Sequence, residues 1–373
     1  MNKVISIYPN LEENYLNKCE TYIVLSKQYG FNEVFTSLHL PEVELSTQIN
    51  FLSDLASISK KYNMTLIADI GGNSIKKIIK DKQLLDKIQA VDYFRLDYGY
   101  DHQDIKYLHD YLQNKGFIIN ASIYNNIESH KEVEFIRSLN AQVKACHNFY
   151  PRVESGIDEQ LALIQKEIFD ELNVPIYYCV PSLTNPRGPI YKGLPTIETH
   201  RYLNTKQVVS ELVNKYAADG IMFSDNFYSE KEFKNIENIE YVEYDKKLVT
   251  IPNYSNIQIN DEIHIHTFND LYDDIIYQTH IFRYDSNSKF LRSKSSRTMA
   301  EFAKSIEPEN CIERKAGYIT IDNRLYERYS GELQVVLADA PLDERINVVG
   351  YIEKQDIDKL KEFRNNHSYT FIK

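Results

Sequence analysis

Two rhythms of apolar and polar positions alternate along the first two thirds of the chain. Short apolar runs recur at 4–8 (VISIY), 33–39 (EVFTSLH), 66–70 (LIADI), 93–99 (YFRLDYG), 118–122 (IINAS), 143–150 (VKACHNFY), 176–182 (IYYCVPS) and 221–225 (IMFSD). Each has the length of a strand. Longer amphipathic stretches lie between them. In 14–30, Leu16, Cys19 and Ile23 share a helical face, and Gly30 stands at the expected stop. In 46–63, Ile49, Leu52, Leu55, Ala56 and Ile58 make another apolar face. Strand and helix repeated eight times predict an α/β fold, a (β/α)8 TIM barrel over residues 1–240. A doubly wound open sheet is the second choice. No GxGxxG follows the first strand, which counts against a Rossmann nucleotide site. The glycine pair of IGGN, residues 70–73, reads as a tight βα turn.

After about residue 240 the rhythm changes. KKLVTIPNY (246–254), DEIHIHTF (261–268), YQTHIFRYD (277–285), AGYITIDN (316–323), GELQVVLAD (331–339) and RINVVGYIE (345–353) are short alternating runs with turn residues between them. They predict a second domain over 250–373, a small antiparallel β-barrel, with RTMAEFAKSI (297–306) as a helix. Residues 229–245 are the linker.

Composition narrows the function classes. The chain has 373 residues, 43% hydrophobic and 26% charged, which is ordinary for a globular protein. A net charge of −11 argues against a nucleic-acid partner. An anionic ligand would therefore need basic residues gathered locally. Cys19, Cys146, Cys179 and Cys311 have no zinc spacing and read as free thiols in a reducing compartment. The N-terminus has no signal-peptide core, and no apolar run is long enough to span a membrane. The expectation is a cytoplasmic protein without a membrane partner.

In a TIM barrel the chemistry sits at the C-terminal ends of the strands. The residues there are Tyr8, Ser37 and His39, Asp69, Arg95 and Asp97, Asn120 and Ser122, His147, Asn148, Tyr150 and Arg152, Ser182, then Asp225 and Asn226. Arg95 and Asp97, two apart in FRLDYG (94–99), point to one face of a buried strand. They form either a barrel-lining ion pair or part of an active site. Asp97 and Asp69 on neighbouring strands are the leading acid–base pair, with Glu198 and Asp225 as substitutes. The long loop after the seventh strand carries Arg187, Lys192, Glu198, His200 and Arg201, where an anion would bind. Lys144 is either a Schiff-base lysine or an outward-pointing lysine between helices. His39, His147 and His200 lack a metal-ligand spacing, so neither metal nor cofactor is expected.

GFNEVFTSLHLPE (30–42), FRLDYG, INAS (119–122), CHNFYPR (146–152), GPIYKGLPTIETHR (188–201), FLRSKSSR (290–297) and GELQVVLAD together resemble a bacterial family once filed as a domain of unknown function and labelled "outer surface protein". That family resembles the 6-phospho-N-acetylmuramidases, glycoside hydrolase family 170. VESGID (153–158) departs from the usual threonine–glycine version. The resemblance implies a barrel followed by a cyclophilin-like β-domain. It also implies cleavage of the β-1,4 bond in N-acetylmuramic acid 6-phosphate–N-acetylglucosamine, a step of peptidoglycan recycling. Such a small anionic disaccharide needs two anionic subsites, for which Arg152, Arg187, His200 and Arg201 are candidates. Asn120 and Asn148 suit sugar hydroxyls or the acetamido group, and Tyr8 and Tyr150 suit stacking on a sugar ring. Ser37, His39, Arg95 and His147 complete the expected binding set. The alternatives are an aldolase, epimerase or isomerase of a phosphorylated sugar, or a sugar-phosphate-binding protein without catalysis. The second domain either caps the mouth, with Arg292 or Arg297 reaching the ligand, or mediates a homodimer.

Overall fold

Eight parallel strands pair each with the next, and the last returns to the first. They are β1 (Asn2–Ser6), β2 (Glu33–Ser37), β3 (Thr65–Ile70), β4 (Tyr93–Leu96), β5 (Gly116–Asn120), β6 (Val143–Cys146), β7 (Ile176–Val180) and β8 (Gly220–Asn226). The sheet is closed, so the TIM-type barrel is the fold and the open sheet is not. This computed structural model describes residues 1–10, 12–240, 242, 260–299, 306–361 and 368–373. Every residue of β2, β5 and β7 is buried, as expected for strands covered on both faces. The helices between strands start where short polar side chains satisfy the first free N–H groups. Asn125 and Glu128 form a reciprocal cap on helix Asn126–Ser138, and Asp101 accepts from the Asp104 N–H of helix His102–Leu112.

Inward-facing Val4, Phe35, Ile67, Ile118, Cys146, Cys179 and Met222 fill the middle of the barrel. Below them lie the rings of Tyr93 and Tyr177. They fit because the neighbouring strands begin with glycine. A Cβ on Gly116 would lie 2.2 Å from the Tyr93 ring, and one on Gly220 would lie 2.6 Å from the Tyr177 ring. Lys144 belongs to this lower layer, and neither expected role holds for it. It points inward at the N-terminal end of the barrel, with Nζ 2.8 Å from Glu33 Oε1 and 4.2 Å from the centre of the Tyr93 ring. It stands at the end of the barrel opposite the mouth.

The chain divides into two compact units. The first is Met1–Phe149, Ala162–Arg187 and Gly193–Pro252; the second is Tyr150–Leu161, Gly188–Lys192 and Asn253–Lys373. Two short segments that the sequence places with the barrel, 150–161 and 188–192, thus group with the second unit. Its strands are β9 (Asn260–Thr267), β10 (Thr279–Ile281), β11 (Phe290–Arg292), β12 (Tyr318–Asp322), β13 (Leu333–Val336), β14 (Ile346–Ile352) and β15 (Ser368–Ile372). Their order is β10-β15-β9-β14-β12-β13-β11. The sheet is mixed rather than antiparallel throughout, because β15 runs parallel to β9. Alternation in a sequence gives the faces of a strand but not its direction. The sheet curls until its two edges meet: the Arg283 N–H donates to Arg292 O at 2.8 Å, and the Lys294 N–H donates to Ile281 O at 2.9 Å. The run 246–254 and residues 300–305 of the expected helix lie outside the described residues; Ser296–Met299 is helical.

Besides an apolar core, this unit holds a buried ionic cluster. Arg152 pairs with Asp322, Arg292 with Glu332, and Arg283 with Asp285. Burial pushes the Asp322 carboxyl up to about 6 against the pull of Arg152.

The glycine pair after β3 performs the turn read from the sequence and explains its composition. The Gly72 N–H donates to Tyr98 O at 2.8 Å, and a Cβ on Gly72 would fall 1.7 Å from Gly99 O. Two backbones touch where any side chain would part them. Gly72→Ala is expected to lower stability by about 1–3 kcal/mol, read as a lower urea midpoint. An unchanged midpoint would contradict this contact.

Candidate active site

Strand register brings the charges of FRLDYG to the C-terminal mouth. Asp69 on β3 and Arg95 on β4 are Cα partners. Arg95 is 4% exposed, and its Nη1 lies 2.7 Å from Asp69 Oδ1 and 3.4 Å from Asp97 Oδ1. Its Nη2 donates to Asn148 Oδ1 at 2.6 Å. Asn120 Nδ2 donates at 2.9 Å to both Asp97 Oδ1 and Asn148 Oδ1. His39 Nε2 stands 2.7 Å from Asp69 Oδ2 and 3.7 Å from Asp97 Oδ2. The ends of β2 to β6 therefore share one polar network, and the pair in FRLDYG is both an ion pair and part of a site.

The network treats its two aspartates differently. Burial pushes the Asp69 carboxyl up, but Arg95 and His39 outweigh it and hold the group below its ordinary range. Burial pulls the His39 imidazole down, while the Asp69 carboxylate raises it further, so His39 titrates above its ordinary value. Arg95 stays charged. The Asp69 side chain is 5% exposed with both oxygens engaged, whereas Asp97 is 16% exposed and its Oδ2, 3.7 Å from His39 Nε2, accepts no hydrogen bond among the described residues. Asp97 is the carboxylate a ligand can reach.

Asp225 has another task. Its Oδ2 accepts the N–H groups of Ser182 (2.8 Å) and Leu194 (3.1 Å), and its Oδ1 accepts that of Arg187 (2.7 Å). Burial pushes its carboxyl up to about 6, while the three N–H groups pull the other way. It clamps both ends of the loop after β7 from a fully buried position. The same loop lays the Arg187 guanidinium 3.9 Å from the centre of the Tyr8 ring. Arg187 Nη1 is buried without a hydrogen-bond partner among the described residues. Tyr8 is held by its hydroxyl, which donates to Ser224 O at 2.9 Å, so its ring serves as a platform for the cation.

Several expected site residues are tied up elsewhere. His147 precedes the inward Asn148 and points the other way, into the layer outside the sheet. Its Nδ1 meets Ser122 Oγ at 2.9 Å, its ring packs on Tyr178, and burial pulls it down to about 3. His200 is fully buried against Tyr216, with Nε2 3.1 Å from Glu211 Oε2. Arg201 and Glu198 close on each other through two contacts of 2.6 Å. Arg152 holds Asp322 with contacts of 2.5 and 2.6 Å inside the second unit. There the Tyr150 hydroxyl also donates to Asp285 Oδ2 at 2.9 Å. Arg292 is likewise bound to Glu332, while Arg297 is one-third exposed. Ser37 Oγ accepts the His39 N–H at 3.4 Å. The three histidines do not converge. Among the described residues no cluster of His, Cys, Asp and Glu is arranged to hold a metal ion. Sequence reasoning missed Thr196, whose hydroxyl ties Asn148 O to the Cys179 N–H at 2.9 Å each. It also missed Gly71, where a Cβ would lie 3.3 Å from His39 Nδ1. Only the glycine pair left a signal in the sequence.

Removing Asp69 would strand the buried Arg95 charge beside a less complete partner. Asp69→Asn is expected to cost about 3–5 kcal/mol at neutral pH, measured by urea denaturation. A folded-state value below 3.8 means that the stability from Asp69 is present above that pH. It is lost as pH falls through the lower folded value. The variant should lose this acid dependence; a wild-type stability curve would refute the role.

A family model of the N-terminal domain of 6-phospho-N-acetylmuramidase matches residues 4–238, and one of its C-terminal domain matches 262–372. No curated protein matches the chain. A crystal structure of a conserved protein of unknown function from Enterococcus faecalis is similar at 28% identity, covering 100% of this chain and 96% of that one, with a TM-score of 0.52. An uncharacterized B. cereus protein shares the fold at 22% identity, covering 100% and 99% of the two chains, with a TM-score of 0.52. With both of its domains matched in order, the chain belongs to the 6-phospho-N-acetylmuramidase family.

Proposed function

We propose that this protein is a glycosidase that hydrolyses N-acetylmuramic acid 6-phosphate–N-acetylglucosamine at its β-1,4 bond, releasing the two sugars during recovery of cell-wall material in the cytoplasm. Family membership supports the substrate class. The observation that carries the reading is the reachable Asp97 carboxylate, fixed beside Asp69, Arg95 and His39 at the barrel mouth. Glycoside hydrolysis needs a carboxylate at the anomeric carbon and a group that handles the leaving-group proton. Asn148 adds an amide whose Nδ2 donates to nothing among the described residues, which suits a sugar hydroxyl.

The anionic groups of the substrate need a cation, and the geometry narrows the choice. Of Arg152, Arg187, His200 and Arg201, only Arg187 combines a buried, unpartnered N–H with a place beside the mouth residue Tyr8. Contact with the ring holds the guanidinium beside the mouth, and its unpartnered Nη1 suits a phosphate or carboxylate. The Schiff-base alternative loses support, because Lys144 is paired with Glu33 at the far end of the barrel. The cyclophilin-like form of the second domain belongs to this reading through the family.

Incubation with the phosphorylated disaccharide should yield two sugars by mass spectrometry; an intact disaccharide would reject the proposal. Asp97→Asn should lower kcat by at least ~10³ without unfolding the protein. Arg187→Gln should raise KM roughly 10–100-fold for the phosphorylated substrate, as expected for the loss of about 1.4–2.7 kcal/mol of charge-assisted binding. An unaltered KM would remove Arg187 from the anion subsite.

A further inference from the structure

Two carboxylates at a barrel mouth suggest that one is the acid and the other the base or nucleophile. The geometry argues against that division. Asp69 Oδ1 is held by Arg95 at 2.7 Å and Oδ2 by His39 at 2.7 Å. An ionised, enclosed carboxylate that already accepts from two cations has no proton to give and no open oxygen to give it from. A different group beside Asp97 has to carry the proton.

His39 has the required geometry. Its Nε2 lies 3.7 Å from Asp97 Oδ2, so its ring stands next to the reachable carboxylate. Its side chain is 24% exposed, well above the 5% of Asp69. With Nε2 turned to Asp69, the other nitrogen is left for a ligand. Nδ1 makes no hydrogen bond among the described residues. It faces Gly71, the first of the two glycines after β3, where a Cβ would come within 3.3 Å. A histidine oriented by a carboxylate through one nitrogen and presenting the other is suited to moving protons.

We propose that His39, oriented by Asp69, is the proton-carrying catalytic residue of this site, with Asp97 facing the anomeric carbon. The inference rests on the glycosidase reading and deepens it. As the bond between the anomeric carbon and the glycosidic oxygen breaks, the Nδ1 proton passes to that oxygen. Water then bonds to the anomeric carbon through its oxygen and returns a proton to the neutral Nδ1. The turnover thus ends with the imidazolium restored. Asp69 stays ionised throughout and acts as a positioning residue. The groups facing His39 are Asp69 from β3, Arg95 from β4, Asp97 just after β4, and the Tyr98 ring with its centroid 6.5 Å away. Burial pulls its titration down, the two carboxylates raise it and Arg95 lowers it, with a net upward shift that favours the imidazolium.

The test compares two substrates. One is the phosphorylated disaccharide; the other is the 4-nitrophenyl β-glycoside of N-acetylmuramic acid 6-phosphate, whose leaving group departs without a proton. His39→Gln is expected to lose about 10²–10⁴-fold on the disaccharide but less than about tenfold on the aryl glycoside. The alkaline limb of its kcat/KM profile should disappear. Gly71→Ala, which crowds Nδ1 while retaining the imidazole, should show the same selective loss. Asp69→Asn should move the alkaline limb to lower pH. Equal losses on both substrates in His39→Gln and Gly71→Ala, or an alkaline limb that persists without His39, would overturn the assignment while leaving the glycosidase reading standing. Failure of the wild-type protein to cleave either substrate would overturn both.

Discussion

A guanidinium buried in the mouth of a barrel has to be neutralised where it stands. Arg95 is that group, and the arrangement of the site follows from satisfying it. It is 4% exposed, so its charge must be met mainly by fixed oxygens. Asp69 meets it across the β3–β4 register, Asp97 at longer range two residues along, and Asn148 from the end of β6. These ties join strands that the barrel brings together but does not by itself orient. They also rank the carboxylates: the one that holds Arg95 most closely is enclosed, and the one held less closely is left reachable. His39 then completes Asp69 from the other side, so the enclosed aspartate becomes the link between a cation and an imidazole.

The same principle explains why so many charged residues near the strand ends do not serve a ligand. In a chain with a net charge of −11, buried arginines find carboxylates. Arg201 has Glu198 three residues before it, and Arg152 has Asp322 far along the chain. Such pairs organise loops and the second unit's core at the cost of desolvation, and they leave no hydrogen-bonding capacity for a substrate. Arg187 is the exception. Its guanidinium lies on the face of Tyr8 with Nη1 unpartnered among the described residues, while its charge helps hold down the nearby Asp225 carboxyl. Asp225 makes this possible by binding the loop's backbone rather than its side chains.

The rhythm of the sequence determined much of the molecule. Eight apolar runs separated by amphipathic helices call for a parallel sheet covered on both faces, and the count of eight favours closure over an open doubly wound sheet; the return of β8 to β1 decides it. The glycines of IGGN announced a close turn, and the position of Asp97 at the end of β4 placed it in the mouth. The change of rhythm after the barrel announced a β-rich second domain. Strand direction within that domain was not legible, since alternation is the same in parallel and antiparallel pairs, and the pairing of β15 with β9 shows the consequence.

Which polar side chains face a ligand was decided only by the tertiary structure. His147 and Asn148 are adjacent in sequence, yet one points behind the sheet and the other into the mouth, because the pleat turns successive residues to opposite faces. Arg152 and Arg187 look alike in the sequence. One is sealed against an aspartate 170 residues away, and the other rests on a tyrosine ring contributed by the first strand's end. Residue types and spacing set the fold, because periodicity is local. Charge availability depends on partners distant in sequence, and only the folded chain brings them together.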